Sequence, residues 1–246
     1  MNISSVIPSS LSGKTVLIIG GTSGIGLSAA IQAKAAGAAV TVAGMNAERA
    51  AAVQAEHGFA GHRVLDVTSR ADIERGLADL PQVNHLLLLA GSFVVGKVLD
   101  AELPVLHRAF DERLWAAVHV IRTLGDRLAA DASITFISGA LADRPNAHGT
   151  AMLGAASAAM EALARGLALE LAPRRVNTLA PGPIKTPLWD KSLGDNRDAY
   201  VASLQSALPL KRLGHADEAG AAALFLMTNN YMNGATLNVD GGSRLV

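Results

Sequence analysis

The chain of 246 residues has no cysteine, few aromatic side chains and no excess of either charge. The absence of cysteine excludes a disulfide framework and a cysteine-ligated metal, and we predict no metal site. Its 21 basic side chains balance 21 acidic ones, which argues against a nucleic-acid partner. Apolar runs are too short or too interrupted to span a bilayer, and the opening residues lack the pattern of a signal peptide. We therefore expect a cytoplasmic protein without a membrane partner.

Half of the residues are apolar, which is enough for one sizeable core, so a single domain over residues 1–246 is expected. Short apolar runs alternate with helical patterns throughout, and this alternation predicts a parallel sheet covered by helices on both faces. The expected strands are Thr15–Gly21, Ala39–Gly44, His62–Val67, His85–Gly91, Ser133–Ser138, Arg175–Pro181 and Ala235–Gly242.

Three long helical regions are expected between these strands, at about Pro104–Ala129, His148–Leu171 and Asp217–Met227. A polar, proline-bearing excursion covers about residues 182–209. It is too long for a simple connection, and loops of this kind are typically lids or binding segments. We interpret it as a lid.

The first turn between a strand and a helix reads "GGTSGIG" and contains Gly20, Gly24 and Gly26. One glycine permits the bend, another lets the backbone approach a pyrophosphate, and the third allows close packing of the helix on the strand. The N-terminus of the helix then faces the anion. Because the motif follows a strand and opens a helix, it predicts a dinucleotide site. The alternative is a tight turn without a ligand.

With this turn in place, the chain resembles the short-chain dehydrogenase/reductase family over nearly its whole length. "LSGKTVLIIGGTSGIG" resembles the family's first strand and cofactor turn, and "LDVTS", "LLAGS", "LALELAPRRVNTLAPGPIKTP" and "NGATLNVDGG" resemble its later segments in order. The resemblance implies a Rossmann-like, doubly wound parallel sheet of about seven strands in a single α/β domain.

The resemblance also implies a set of cofactor contacts. Asp66 and Val67 would meet the adenine, and Ala90 and Gly91 would lie beside the adenosine ribose. The implied set, by number, is Gly20, Thr22, Ser23, Gly24, Ile25, Gly26, Gly44, Met45, Asn46, Asp66, Val67, Ala90, Gly91, Pro181, Gly182, Ile184 and Thr186. Of these, Pro181 and Gly182 would pass the nicotinamide, while Ile184 and Thr186 would bond its carboxamide.

The end of the second strand bears on the choice of cofactor. An acidic residue there bonds the ribose 2′-hydroxyl and selects NAD, but this chain has Gly44 and Met45. No carboxylate repels a 2′-phosphate at this point, and Ser23, Asn46 and Arg49 are able to bond one. The sequence therefore favours NADP(H) over NAD(H).

The family's four catalytic positions hold unusual residues. The family uses an asparagine, a serine, a tyrosine whose pKa is lowered by a cation, and a lysine that supplies this cation. Aligned on the neighbouring motifs, these positions are Ala117, Gly139, Leu153 and Ser157, and the asparagine pair usual after strand four is Leu88 and Leu89. No Tyr-x-x-x-Lys occurs anywhere in the chain. The usual mechanism is excluded unless another group has taken over.

Two residues are candidates for the missing proton donor. Ser138 lies one residue before the serine position, and it points away from the cleft unless the strand has already ended, because neighbouring strand residues face opposite sides. His148 lies at the start of the second of these helical regions, His148–Leu171, and has a side chain suited to acid–base work. The alternative for His148 is an ordinary solvated loop histidine.

Three functions remain open at this point. The first is an atypical oxidoreductase acting on an unknown carbonyl or alcohol substrate. The second is a catalytically inactive nucleotide sensor, scaffold or partner subunit, and the third is an elimination, isomerisation or hydration with His148 as base. By analogy with the fold alone, a homo-oligomer, a dimer or tetramer, is expected.

Overall fold

The computed structural model describes residues 10–187 and 197–246, and every structural statement below refers to these. The strands are β1 Thr15–Ile19, β2 Ala39–Gly44, β3 Gly61–Val64, β4 Val83–Leu88, β5 Leu128–Ile137, β6 Arg175–Pro181, β7 Ile184–Lys185, β8 Gly214–His215 and β9 Thr236–Val239. Seven of them form one parallel sheet in the order β3-β2-β1-β4-β5-β6-β9. The other two, β7 and β8, pair with each other.

Helices follow most strands and cover the sheet. They are α1 Gly24–Ala35, α2 Ala47–His57, α3 Arg70–Leu77, α4 Leu103–Phe110, α5 Ala116–Leu124, α6 Ala151–Glu170, α7 Arg197–Ala207 and α8 Ala216–Thr228. A π-helical turn, Asp111–Trp115, joins α4 to α5. Ser69 begins α3 as its N-cap, since its side chain accepts a hydrogen bond from the Asp72 amide.

Two apolar clusters lie on opposite faces of the sheet. Within β1, Leu17 and Ile19 belong to one cluster while Val16 and Ile18 belong to the other, because successive side chains of a strand alternate between faces. Residues of α3, α5 and α6 complete the first cluster, and residues of α1 and α8 complete the second. The predicted doubly wound parallel sheet with helices on both faces is confirmed.

The helical region expected to run to Ala129 ends earlier. Helix α5 stops at Leu124, where Gly125 takes a φ of +49° and leads into a short 3₁₀ turn. From Leu128 onward the chain already belongs to β5, with Leu128 paired to Val83 of β4. The alanine-rich start of this strand has a pattern that also suits a helix, and the pairing with β4 decided between the two.

The excursion at about residues 182–209 contains β7 and helix α7. Its middle, residues 188–196, lies outside the described residues. The lid interpretation therefore stays a prediction.

By length and composition alone, α6 is the one helix among residues 10–187 and 197–246 that is long and apolar enough to cross a membrane. In this fold it packs on β5 and β6, and its side chains Met160, Ala164 and Ala168 enter the core beneath the sheet. Its apolar window is 39% buried, and a helix that packs against a core meets the same criterion of length and composition as a membrane span.

Candidate functional site

A cleft of about 650 Å³ opens at the carboxyl edge of the sheet. It lies where the strand order reverses, between β1 and β4, which is the position where doubly wound sheets bind ligands. The loops that follow β1 to β6 all contribute lining residues. The volume falls in the range of small-molecule and cofactor sites.

The turn after β1 is packed so closely that only glycine fits. A Cβ atom on Gly26 would lie 2.1 Å from the carbonyl oxygen of Gly20, and one on Gly20 would lie 2.7 Å from the Ala90 amide nitrogen. Helix α1 begins immediately afterwards and has no acidic residue in its first turn, and the side chain of its N-cap, Ser23, makes no capping bond. The exposed N-terminal amides therefore fit an anion such as the pyrophosphate of a dinucleotide.

The loop after β2 forms the next part of the wall. Met45 is 70% exposed and lies with Asn46 and Arg49 along the cleft. The Asn46 side chain accepts a hydrogen bond from the Arg49 amide and so begins α2. Further along, Asp66 accepts bonds of 2.8 Å from both the amide and the hydroxyl of Thr68, which fixes the loop after β3.

The structure brings every residue of the implied cofactor set into the lining of this one cleft. The set comprises Gly20, Thr22, Ser23, Gly24, Ile25, Gly26, Gly44, Met45, Asn46, Asp66, Val67, Ala90, Gly91, Pro181, Gly182, Ile184 and Thr186. They come from segments far apart in sequence, since parallel strands bring their carboxyl ends to the same edge of the sheet. Their contacts with a cofactor stay a prediction.

Three of the four family catalytic positions line the same cleft: Gly139, Leu153 and Ser157. Leu153 is 3% exposed, and the Ser157 hydroxyl donates back to the Leu153 carbonyl at 2.9 Å within α6. The fourth position, Ala117, is fully buried in the core. None of the four side chains is an acid, a base or a cation.

Ser138 is among the residues that line the cleft, directly after the last residue of β5, Ile137. Its amide still donates to the Leu179 carbonyl of β6, and its side chain, 8% exposed, lies on the α6 side of the sheet, as Phe136 does. A role for Ser138 as proton donor stays a prediction. The Ser138 hydroxyl lies 2.8 Å from Glu161 Oε1 and 3.1 Å from the Ser157 carbonyl oxygen. Sequence reasoning missed Glu161, although the i, i+4 spacing of Ser157 and Glu161 on one helix face was available as a signal.

His148 does not lie in the cleft. It is exposed on a turn before α6, its amide donates to Asn146 Oδ1 at 2.8 Å, and it is not among the residues that line the cleft. The structure therefore places it apart from the other candidate, Ser138. The solvated-loop interpretation of His148 fits this position.

A charged group that sequence reasoning missed lies at the end of α4 and in the π-helical turn. Glu112 accepts two bonds of 2.6 Å from the amide and hydroxyl of Ser92 and one of 2.8 Å from Arg108 Nη2. Burial raises the pKa of Glu112, but the bonds from Ser92 and Arg108 outweigh burial and lower it overall. Both Glu112 and its neighbour Arg113 line the cleft.

Comparison with known proteins identifies proteins that this chain resembles. Residues 20–244 match the family model described as enoyl-(acyl carrier protein) reductase. The chain is 31% identical over 251 residues to the short-chain dehydrogenase/reductase ucsE of Acremonium sp, covering 94% of this chain and 95% of that protein.

Two solved structures extend the comparison. A small-chain dehydrogenase in complex with NADPH is 32% identical, with 95% of this chain and 99% of that chain covered and a TM-score of 0.79. The NADPH-bound short chain oxidoreductase of Pseudomonas aeruginosa PAO1, described as containing an atypical catalytic center, is 28% identical, with 96% and 98% covered and a TM-score of 0.86.

Proposed function

Because this chain belongs to the short-chain dehydrogenase/reductase family, we propose that it is an NADP(H)-dependent oxidoreductase that acts on a carbonyl or alcohol without the usual tyrosine and lysine. The observation that carries the proposal is that the glycine turn and the segment Pro181–Thr186 line one cleft. A protein that used the fold only as a scaffold would not need both halves of a dinucleotide cradle. The bound nicotinamide would supply or accept the hydride.

The preference for NADP(H) is supported by the wall after β2. Met45 stands where a carboxylate would select NAD, and Ser23, Asn46 and Arg49 line the cleft beside it. A phosphate there would meet the positive charge of Arg49, whereas Glu48 in the first turn of α2 is not among the residues that line the cleft. The two NADPH-bound relatives are consistent with this choice.

For the proton, we propose Ser138 in place of the family's tyrosine. In the direction of alcohol oxidation, the substrate hydroxyl would pass its proton to Ser138 Oγ while the Ser138 proton moves to Glu161 Oε1, which lies 2.8 Å away. Reduction of a carbonyl runs the same transfers in reverse. Leu153, buried at the former tyrosine position, would exclude water from this corner of the cleft.

The test starts with cofactor-stripped protein titrated with NADPH and then NADH, followed by nicotinamide fluorescence and melting temperature. We expect saturable binding with a lower Kd for NADPH. A panel of aldehydes, ketones and alcohols at saturating cofactor then reports turnover. Failure to bind either cofactor at millimolar concentration would remove the oxidoreductase proposal.

A second candidate function is an inactive nucleotide sensor or partner subunit. It is favoured by one observation, that Ala117, Gly139, Leu153 and Ser157 offer no acid, base or cation at the usual catalytic positions. Tight binding without turnover across the whole panel is the outcome that would select it. Chemistry that depends on His148 as base is not proposed, since His148 lies outside the cleft lining.

We also propose a cytoplasmic homo-oligomer, a dimer or tetramer. Two sets of apolar side chains support it: Leu103 and Trp115, 65% and 52% exposed near α4 and α5, and Tyr231 and Leu245, 100% and 79% exposed near the C-terminus. Sedimentation of the wild type and of Trp115→Glu and Tyr231→Glu tests both surfaces. A monomer at micromolar concentration would contradict the proposal.

A further inference from the structure

A buried arginine in the cleft wall lacks most of its partners. Arg113, 8% exposed, comes from the π-helical turn Asp111–Trp115, a feature that is frequent at functional sites. Its Nη2 donates to the Ser92 carbonyl at 2.8 Å. Its Nε and Nη1 are buried without a hydrogen-bond partner among residues 10–187 and 197–246. Such groups destabilise a fold unless something else satisfies them.

The neighbouring carboxylate does not satisfy this cation. Glu112 is already engaged by Ser92 and Arg108, and it forms no hydrogen bond to Arg113 in the described part of the chain. Burial lowers the pKa of Arg113 to about 10, and the attraction of Glu112 offsets this only in part.

A second buried arginine shows that this fold is able to satisfy such a group. Arg175 is also 8% exposed, and its guanidinium donates to the carbonyl oxygens of Leu226, Met227 and Met232. Arg175 does not line the cleft, whereas Arg113 does. Of these two buried arginines, the one with unpartnered N–H groups is the one that lines the cleft.

The position of the guanidinium indicates which part of a ligand it faces. A Cβ atom on Gly91 would lie 3.0 Å from Arg113 Cζ, and Gly91 has a φ of +147°, so glycine lets the guanidinium reach this loop. Ala90, the preceding residue, is the one that the Gly20 turn contacts. Arg113 therefore lies against Gly91, and the neighbouring residue Ala90 lies against the glycine turn after β1. The family resemblance assigns Ala90 and Gly91 to the adenosine ribose.

We propose that Arg113 is a cofactor-binding residue whose unpartnered N–H groups donate to ribose and phosphate oxygens of the adenosine half of the dinucleotide. The inference rests on the proposed function, since it requires a dinucleotide in the cleft. A planar guanidinium suits these acceptors because its donors form a fixed fork and its charge persists when buried. Because both groups are buried in the described structure, the contact requires the side chain to shift toward the ligand.

The substitution Arg113→Met separates this role from a structural one. It keeps an unbranched side chain that reaches about as far as Nε, and it removes the charge, the unsatisfied donors and the Nη2 bond to the Ser92 carbonyl. We expect an unchanged or higher melting temperature without cofactor, a Kd for NADPH raised about 10- to 100-fold, and a smaller melting-temperature increase at a fixed NADPH concentration. Arg122→Met, on the exposed side of α5, removes the same charge and should leave both quantities unchanged.

Fragments of the dinucleotide show which half of it contacts Arg113. Melting-temperature shifts at millimolar 2′,5′-ADP should shrink in Arg113→Met, while shifts with reduced nicotinamide mononucleotide should equal those of the wild type. A loss confined to the nicotinamide fragment would overturn the assignment to the adenosine half. A Kd for NADPH within twofold of wild type, or a lower melting temperature with normal binding, would overturn the proposal altogether.

Two further outcomes, a variant that does not fold and a wild type that binds no cofactor, can be distinguished from each other. If Arg113→Met does not fold, Arg113→Lys keeps the charge but loses the fork, and it should still raise the Kd for NADPH severalfold; an unchanged Kd would count against the proposal. If the wild type binds no dinucleotide, the proposed function fails and takes this inference with it. Wild-type binding that Arg113→Met leaves intact defeats this inference alone.

Discussion

The hydroxyl oxygen of Ser138 lies 2.8 Å from Glu161 Oε1, across the seam between the end of β5 and helix α6. A serine hydroxyl carries one proton, so it donates either to this carboxylate or to the Ser157 carbonyl at 3.1 Å. Ser138 lines the cleft, whereas Glu161, which is of intermediate exposure, is not among the lining residues. The pair therefore connects the cleft wall to a carboxylate behind it.

If this pair handles the proton, Ser138→Ala and Glu161→Gln should each lower kcat by about 10²-fold or more, the usual contribution of a positioned acid or base. The Kd for NADPH should change little, because neither residue belongs to the implied cofactor set. Steady-state kinetics on the best substrate from the panel measures this. Glu170→Gln, exposed at the end of the same helix, is the control, and a kcat within twofold of wild type for Ser138→Ala would refute the assignment.

The glycine turn allows a matched pair of substitutions. Gly26→Ala places a Cβ 2.1 Å from the Gly20 carbonyl oxygen, so the turn must open, and we expect a loss of at least about 2 kcal/mol in unfolding free energy together with loss of NADPH binding. Gly166→Ala, in the exposed part of α6, meets nothing within 4 Å and should stabilise the protein by up to about 1 kcal/mol. Denaturant unfolding measures the free energy of unfolding of both variants. If Gly26→Ala were as stable as Gly166→Ala, the turn would not be as tight as described.

We expect Met45 to influence the choice between NADPH and NADH. A carboxylate at this exposed position would repel a 2′-phosphate and bond ribose hydroxyls instead. Met45→Asp should therefore raise the Kd for NADPH about tenfold or more and leave that for NADH equal or lower. The control is Met45→Asn, which introduces a side chain of the same size as aspartate but without its charge. A parallel loss for both cofactors in fluorescence titrations would mean that Met45 does not face the ribose.

His85 makes stability depend on pH. Burial in β4, with a smaller contribution from the charges of Arg175 and Lys14, lowers its pKa from 6.5 to about 4, although Asp131 opposes this. The unfolded chain therefore binds a proton below about pH 6.5 while the folded chain stays neutral down to about pH 4. Unfolding free energy should fall across this window by on the order of 3 kcal/mol.

The variant His85→Gln removes this dependence and should give a flatter stability curve between pH 7 and pH 5. Denaturant midpoints at several pH values in this interval supply the measurement. Glu112 titrates at lower pH, since its pKa is lowered, and so does not mask the effect. His107→Gln, which changes an exposed histidine, should keep the wild-type slope, and an unchanged slope in His85→Gln would contradict the prediction.

Much of this molecule follows from local sequence signals. The bounds Ala39–Gly44 of β2 and Arg175–Pro181 of β6 match the expectation, because short apolar runs flanked by turn residues suit buried parallel strands. The strand ends were less predictable. Strand β4 stops at Leu88 and β5 at Ile137, where pairing with the neighbouring strand ceases, and such pairing is a property of two distant segments.

The sequence by itself determined the doubly wound fold, the glycine turn after β1 and the implied cofactor set, all of which lines the cleft, since these depend on periodicity, glycine spacing and the order of motifs. Only the tertiary structure decided which polar side chains meet there. The contact of Ser138 with Glu161 and the unsatisfied guanidinium of Arg113 against Gly91 depend on where one strand ends and where a helix makes a π-helical turn. Side-chain partners over such distances are set by packing between elements, which leaves no periodic trace in the chain.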